Sequence, residues 1–473
     1  MLYSLPVLAL LLFSVAGGSA SEQPNVLFIC IDDLRPELHC YGVDYIHSPN
    51  IDALAAEGVR FTHHYVQAPT CGASRFALLT GTYGPYGNGA LFARGKEISK
   101  DPKATTPSLP AWFRQHGYQT TAIGKVSHHC GGLGGPDWND PEQVEMPLSW
   151  DRNLMPSGPW QHPRGIMHGL ANGEIREKSG KMAVFQSFDG PDTSYPDGLI
   201  TDAALSELKA MATANKPFFL AVGLIRPHLP FGAPAAYMKH YRNVELPAIP
   251  HPVKPDWKTT WINSSEFMKY NRWDRDPRED QEFATEVRRH YAACVSYADA
   301  QVGRIMEQLT KLGCAENAIV VIWGDHGWHL GEHAVWGKHT LFEESLHAPL
   351  IIRAPTPLSG PVVSPAVVET LSIYPTLCAL AGLDAPDGLD GKSFADQLTK
   401  PGPNDGAAIS YKNNAYTVRT ATHRLIYHSP DYAELYDHTS EAGETANIAE
   451  QHPELVAELT AILRQRLGDR IDK

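Results

Sequence analysis

Short apolar runs recur along the chain, and most of them stop at polar residues able to do chemistry. Val26–Ile31 ends in Asp32-Asp33, Ile319–Trp323 ends in Gly324-Asp325-His326, and Phe218–Leu224 ends in Arg226-Pro227-His228. A weaker run, Thr120–Ile123, ends in Gly124-Lys125 with His128 just beyond, and Pro349–Ile352 is a fifth. Continuous apolar runs of this length predict strands buried on both faces. Between them the spacing predicts helices over Asn50–Ala56, Thr201–Ala212 and Ala284–Leu312. Strands alternating with helices predict an α/β fold around a large, mostly parallel sheet. Ligands collect at the carboxyl ends of such strands, where the polar residues stand.

Residues 130–197 are rich in Gly, Pro and Trp without periodicity, and read as a long loop region over the sheet. Leu398–Asp405 reads as a linker. Beyond it, Ala415–Arg419 and Arg424–Tyr427 read as short strands and Pro453–Leu467 as a terminal helix, a small α+β subdomain. The apolar stretch Leu5–Ala16 is too short to span a bilayer and leads into Gly17-Gly18-Ser19-Ala20, the pattern of an export signal cleaved after Ala20. The expected organisation is a signal over 1–20, a catalytic domain over 21–398 and a subdomain over 405–473, in a secreted, periplasmic or lysosomal-type protein.

Composition narrows the function. The chain has 473 residues, 43% hydrophobic and 20% charged, which is ordinary for a globular protein. The formal net charge of −13 argues against a nucleic-acid partner, and no basic cluster suggests a membrane surface. The seven cysteines form no CxxC pair. Cys30, Cys294 and Cys378 read as buried packing residues; the count is odd, so in an exported protein at least one cysteine is unpaired or chemically altered, and Cys71 is the candidate.

Asp32, Asp33 and Asp325 offer hard carboxylate oxygens from two strand ends, and His326 adds a nitrogen. Such a set suits Ca²⁺ or Mg²⁺ better than Zn²⁺, whereas a rival set of His326, His329 and His333 lacks zinc-protease spacing. Cys71 stands before a predicted helix start, at a positive end suited to an anion, with Arg75 one turn on.

The stretch Pro69-Thr70-Cys71-Gly72-Ala73-Ser74-Arg75, continued by Phe76-Ala77-Leu78-Leu79-Thr80-Gly81, resembles the signature of type I sulfatases. In that family the cysteine is oxidised to formylglycine (3-oxoalanine). Gly117–His128 resembles the second family signature, with Ser127 where a larger residue is usual. Asp32–Pro36, Pro227–Phe231 and Asp325–Trp328 with Gly331-Glu332-His333 resemble the iduronate-2-sulfatase branch and its bacterial relatives. The resemblance implies the alkaline phosphatase/sulfatase-like fold and hydrolysis of a sugar sulfate ester, foremost a 2-O-sulfated uronic acid. It also implies Ca²⁺, ahead of Mg²⁺, held by Asp32, Asp33, Asp325, His326 and modified Cys71.

The same resemblance gives Arg75, Lys125 and Lys338 the sulfate oxygens. His228, with Lys338, protonates the leaving alcohol, and His128 takes the proton that releases sulfate. It further implies a maturation enzyme, either formylglycine-generating or radical; Ala73, where Pro is commoner, favours the radical type. Arg226 or a residue of the 130–197 loops is expected to read a uronate carboxylate. A phosphohydrolase or phosphodiesterase of the alkaline phosphatase superfamily, and a non-catalytic binder of sulfated glycans, remain as alternatives.

Overall fold

The computed structural model describes residues 23–129, 145–214, 216–355 and 360–472. The expected signal segment therefore lies outside the described residues, as does Cys130. In chain order the strands are β1 (Asn25–Ile31), β2 (Val59–Tyr65), β3 (Gln119–Gly124), β4 (Arg152–Leu154), β5 (Phe185–Phe188), β6 (Phe218–Leu224), β7 (Phe231–Pro234), β8 (Ala318–Gly324), β9 (His329–Leu330), β10 (Trp336–Gly337), β11 (Leu350–Arg353) and β12 (Val362–Glu369). Eight of them form the main sheet in the order β12-β2-β11-β8-β1-β6-β3-β4. Pairing is parallel from β8 to β4 and between β12 and β2; only β11 runs against both its neighbours.

The alternation of side chains along β1 shows why its run is apolar throughout. Leu27, Ile29 and Ile31 enter one core, with the helices Pro196–Ala212 and Gln281–Lys311. Val26, Phe28 and Cys30 enter the core on the opposite face. The second core also receives Phe76, Leu78 and Leu79 of the helix Cys71–Thr80. The long helix Gln281–Lys311 starts where the Asp280 side chain accepts the Phe283 N–H at 2.9 Å, an N-cap.

A separate four-stranded antiparallel sheet, β13 (Ala408–Lys412), β14 (Ala415–Arg419), β15 (His423–Ser429) and β16 (Tyr432–Asp437), carries the helix Pro453–Leu467. Its core of Ile409, Val418, Leu425, Leu435, Leu459 and Leu463 also takes in Ala73 and Ala77. The small subdomain thus braces the helix that begins at Cys71. The predicted loop region is not structureless: its described part holds β4, β5 and several short helices, and its last two residues open the helix Pro196–Ala212. Among the described residues no disulfide forms, and Cys30, Cys294 and Cys378 are fully buried. No helix of the described residues is long and apolar enough to cross a membrane.

Candidate active site

Four neighbouring parallel strands, β8, β1, β6 and β3, end side by side. Just past those ends stand Asp325-His326, Asp32-Asp33, His228 and Lys125. Cys71 opens its helix opposite them, and the Asn88 side chain steadies that turn by accepting the Gly72 N–H at 3.0 Å. The structure therefore brings together residues spread over nearly three hundred positions of sequence, from Asp32 to His326.

One ligand atom each from Asp32, Asp33, Cys71 and His326 lies within 4.8 Å of all the others. Asp33 holds a left-handed backbone (φ 58°), and its N–H donates to Asp325 Oδ1 at 2.9 Å. A strained residue persists where its surroundings fix it, commonly at a functional site. His326 Nδ1 lies 3.0 Å from the Gly327 carbonyl, an acceptor, so Nδ1 carries the proton and Nε2 presents a lone pair. That Nε2 is 3.2 Å from Cys71 Sγ and 3.3 Å from Asp33 Oδ1. Asp33 Oδ2 is buried and has no hydrogen-bond partner. An orphaned carboxylate oxygen among hard donors fits a divalent cation, and the oxygen-rich set fits Ca²⁺ or Mg²⁺.

Lysines flank this group. Lys125 pairs with Asp32, and Lys338 Nζ lies 2.7 Å from Asp33 Oδ1 and 3.3 Å from Cys71 Sγ. Burial works against the charged form of each lysine, but Asp32 and Asp33 respectively outweigh it and raise both pKa values. Burial raises the Asp33 carboxyl well above its usual range, more than Lys338 and His326 lower it. Asp32, by contrast, is held well below, because Lys125, His228 and Arg75 overcome its burial. Burial also pushes the Cys71 thiol up to about 12, so the unmodified side chain is a neutral thiol at neutral pH.

A cavity of about 310 Å³ opens over Cys71, with Lys125, Lys338, His128 and His228 on its walls. Burial, with Lys125 beside them, holds both histidines well below their usual range. His228 Nδ1 is bound to the Leu229 carbonyl at 2.7 Å, which turns Nε2 toward Glu266 at 3.5 Å.

Two expectations need correction. Arg75 is fully buried and lies behind the carboxylates, with Nη2 2.9 Å from Asp325 Oδ2 and 3.3 Å from Asp32 Oδ1. Its Nη1 donates to the carbonyls of Lys125 and Val126. Every arm of the fork is engaged, so Arg75 braces the cation ligands and does not reach sulfate oxygens. Of the two sources expected for a reader of the uronate carboxylate, Arg226 is also fully buried, its guanidinium donating to the carbonyls of Gly169, His228 and Gly232, which leaves the 130–197 loops.

The rival histidine set does not converge either. His329 Nε2 meets Thr340 Oγ1 at 2.8 Å, and the His333 ring stacks on Phe342 at 4.3 Å. Two further His/Glu groupings near Glu343 and Glu444 are balanced by arginines: Arg424 Nη2 lies 2.5 Å from Glu343 and Arg424 Nε lies 2.5 Å from Glu444.

Sequence reasoning missed Asn88, His168, Arg176, Glu266 and Lys269, all of which line the cavity. Glu266 Oε2 is 3.6 Å from both Lys338 Nζ and His339 Nε2. These residues stand in segments without periodicity, where nothing local marks a side chain as facing a site.

Candidate cation ligands beneath a lysine-lined cavity, at the strand ends of an α/β sheet, fit a hydrolase of anionic esters. The sulfatase family profile matches residues 24–383, and the N-sulphoglucosamine sulphohydrolase C-terminal profile matches residues 331–473. The chain is 32% identical to iduronate 2-sulfatase of Mus musculus over 82% of its own length and 74% of the relative's. It is also 32% identical to a sulfatase of Formosa agariphila, over 90% of this chain and 83% of that one. Among solved structures, phosphonate monoester hydrolase of Agrobacterium radiobacter superimposes with a TM-score of 0.73 at 20% identity, covering 94% and 96% of the two chains. The chain belongs to the sulfatase family and is a sulfuric ester hydrolase.

Proposed function

We propose that this protein is an exported, Ca²⁺-dependent sulfatase that removes the sulfate ester from a 2-O-sulfated uronic acid of a glycosaminoglycan or other sulfated polysaccharide. The observation that carries the reading is the partnerless Asp33 Oδ2 inside the group Asp32, Asp33, Cys71 and His326, beneath the lysine-lined cavity. The preference for a uronic acid rests on the likeness to iduronate 2-sulfatase. In this reading residues 1–20 are a signal, 21–398 the catalytic domain and 405–473 the small subdomain.

Asp32, Asp33, Asp325, His326 and the oxidised Cys71 would hold the cation. When present, the cation supplies a Lewis acid, and formylglycine made from Cys71 supplies a hydrated aldehyde with one hydroxyl to attack sulfur and another to release sulfate. Lys125 and Lys338 take the sulfate oxygens and neutralise charge as it develops. Arg75 keeps Asp32 and Asp325 in place. Lys338, kept charged by Asp33 and within reach of the Glu266 carboxylate, delivers the proton to the departing alcohol, with His228 Nε2 beside the same carboxylate to orient that transfer. His128, kept neutral by burial, accepts the proton whose removal frees sulfate.

The test is to produce the protein with a formylglycine-generating or radical maturation enzyme, weigh the tryptic peptide ending at Arg75, and assay a 2-O-sulfated uronate disaccharide. An aldehyde at Cys71 is expected, with sulfate release that a chelator stops and Ca²⁺ restores. A persistent thiol beside an active maturation enzyme overturns the reading. So does faster turnover of phosphate or phosphonate monoesters than of the sulfate, given the shared fold.

A further inference from the structure

The cations around Cys71 are not equivalent. Arg75, Lys125 and Lys338 each lie against a carboxylate of the cation site. Arg176, on the same cavity wall, does not: among the described residues no carboxylate lies within 4 Å of its guanidinium. It is nevertheless held in place. Its Nη1 donates to Tyr270 Oη at 2.9 Å, and its Cζ stands 4.9 Å from the centre of the Tyr270 ring. Tyr270 is buried, and its hydroxyl also meets His168 Nδ1 at 3.2 Å. The His168 ring in turn lies 5.4 Å from that of His228. A half-buried guanidinium is thus fixed at a set distance from the proton-transfer wall, with donors left over and no internal counter-charge.

Fixing a cation without a carboxylate forgoes an ion pair, which makes sense where an anion arrives from outside. The planar fork matches a carboxylate better than a lysine would. Lys269, exposed and on the same wall, adds positive charge to that side.

We propose that Arg176 is a specificity-determining residue that binds a second anionic group on the sugar carrying the scissile sulfate, foremost its carboxylate. This rests on the sulfatase reading above and names the side chain that selects among sulfated substrates. The chemistry shared by a carboxylate and a second sulfate is a fork of oxygens; Arg176 holds it while Lys125 and Lys338 hold the scissile group.

The test compares wild type, Arg176→Gln and Arg176→Lys, all matured, on three substrates: a 2-O-sulfated uronate disaccharide, a glucosamine carrying two sulfates, and p-nitrophenyl sulfate, which has no second anion. Charge-assisted hydrogen bonds are worth about 1.5–3 kcal/mol, so Arg176→Gln is expected to lower kcat/KM on the uronate by about 10- to 100-fold, mainly through KM. Turnover of p-nitrophenyl sulfate is expected to change less than about 3-fold, with Arg176→Lys intermediate on the uronate. A loss confined to the disulfated glucosamine assigns Arg176 to a second sulfate and overturns the carboxylate assignment. Equal loss on all three substrates, or loss on none, overturns the proposal while the sulfatase reading stands. If matured wild type hydrolyses no sulfate ester, both fall together.

Discussion

Lys125 shows how far single residues were legible. It follows a weak apolar run and a glycine, and strand-end placement picks it out together with Asp32, Asp33 and Asp325. The structure pairs it with Asp32 under the cavity floor. Arg75 was equally visible as a motif residue, yet its direction was not. A sequence pattern names a side chain without saying which way it leaves the helix, and this one leaves toward the carboxylates. Glu266 carried no signal, and Arg176 only the general one of lying in the 130–197 loops, because their segments have neither periodicity nor motif to single out a side chain. Removing one preorganised charge-stabilising donor costs about 100- to 1,000-fold in rate. Lys125→Ala is therefore expected to lose at least that much in kcat in the matured enzyme. A rate near wild type would remove Lys125 from the sulfate site.

At the scale of elements, the buried parallel strands β1, β6 and β8 were readable because both faces are covered. β2 and β12 are among those that were not. Along β2 exposure varies, with Val59 and Phe61 buried and Arg60 and Thr62 half-buried, so no continuous run forms. β12 contains Pro365, tolerated at a register shift between Ser364 and Val367. The strand ends themselves depend on Gly124 of β3 and Gly223 of β6, which pair across the two strands. Gly223 in β6 stands against Lys125, and a Cβ there would lie 2.0 Å from the Lys125 carbonyl carbon. That close approach lets the Lys125 N–H donate to the Gly223 carbonyl at 2.9 Å. Gly223→Ala must push the chain after β3 away from β6. Overpacking of this kind costs about 1–3 kcal/mol in stability. Activity is expected to fall by more than the folded fraction does, because the displaced residue is Lys125. Unfolding midpoints and kcat measured together decide it; activity that merely tracks the folded fraction would contradict the account.

The whole molecule joins its small subdomain to the site through buried charge as well as through Ala73 and Ala77. The sequence announced two of the subdomain's four strands and its terminal helix, but not this junction, because ion pairs between distant segments leave no local pattern. Glu343 stands five residues beyond Lys338 and accepts from Arg419 and Arg424 of the small sheet, and Glu444 pairs with Arg424. Burial alone would raise the Glu444 pKa, but Arg424 and His438 bring it down to about 2. A carboxyl depressed in the folded state adds stability that is complete above its unfolded value, about 4.5, and is lost as pH falls toward 2. For Glu444 that contribution is on the order of 3 kcal/mol. Glu444→Gln should therefore unfold at lower urea than wild type at pH 7, and the gap should narrow as pH falls from 4.5 to 3. Because the junction also anchors the segment that carries Lys338, the variant should lose sulfatase turnover at a lower urea concentration than wild type. A stability gap independent of pH would mean that Glu444 holds the subdomain by packing and hydrogen bonds alone, leaving its charge without a role in docking.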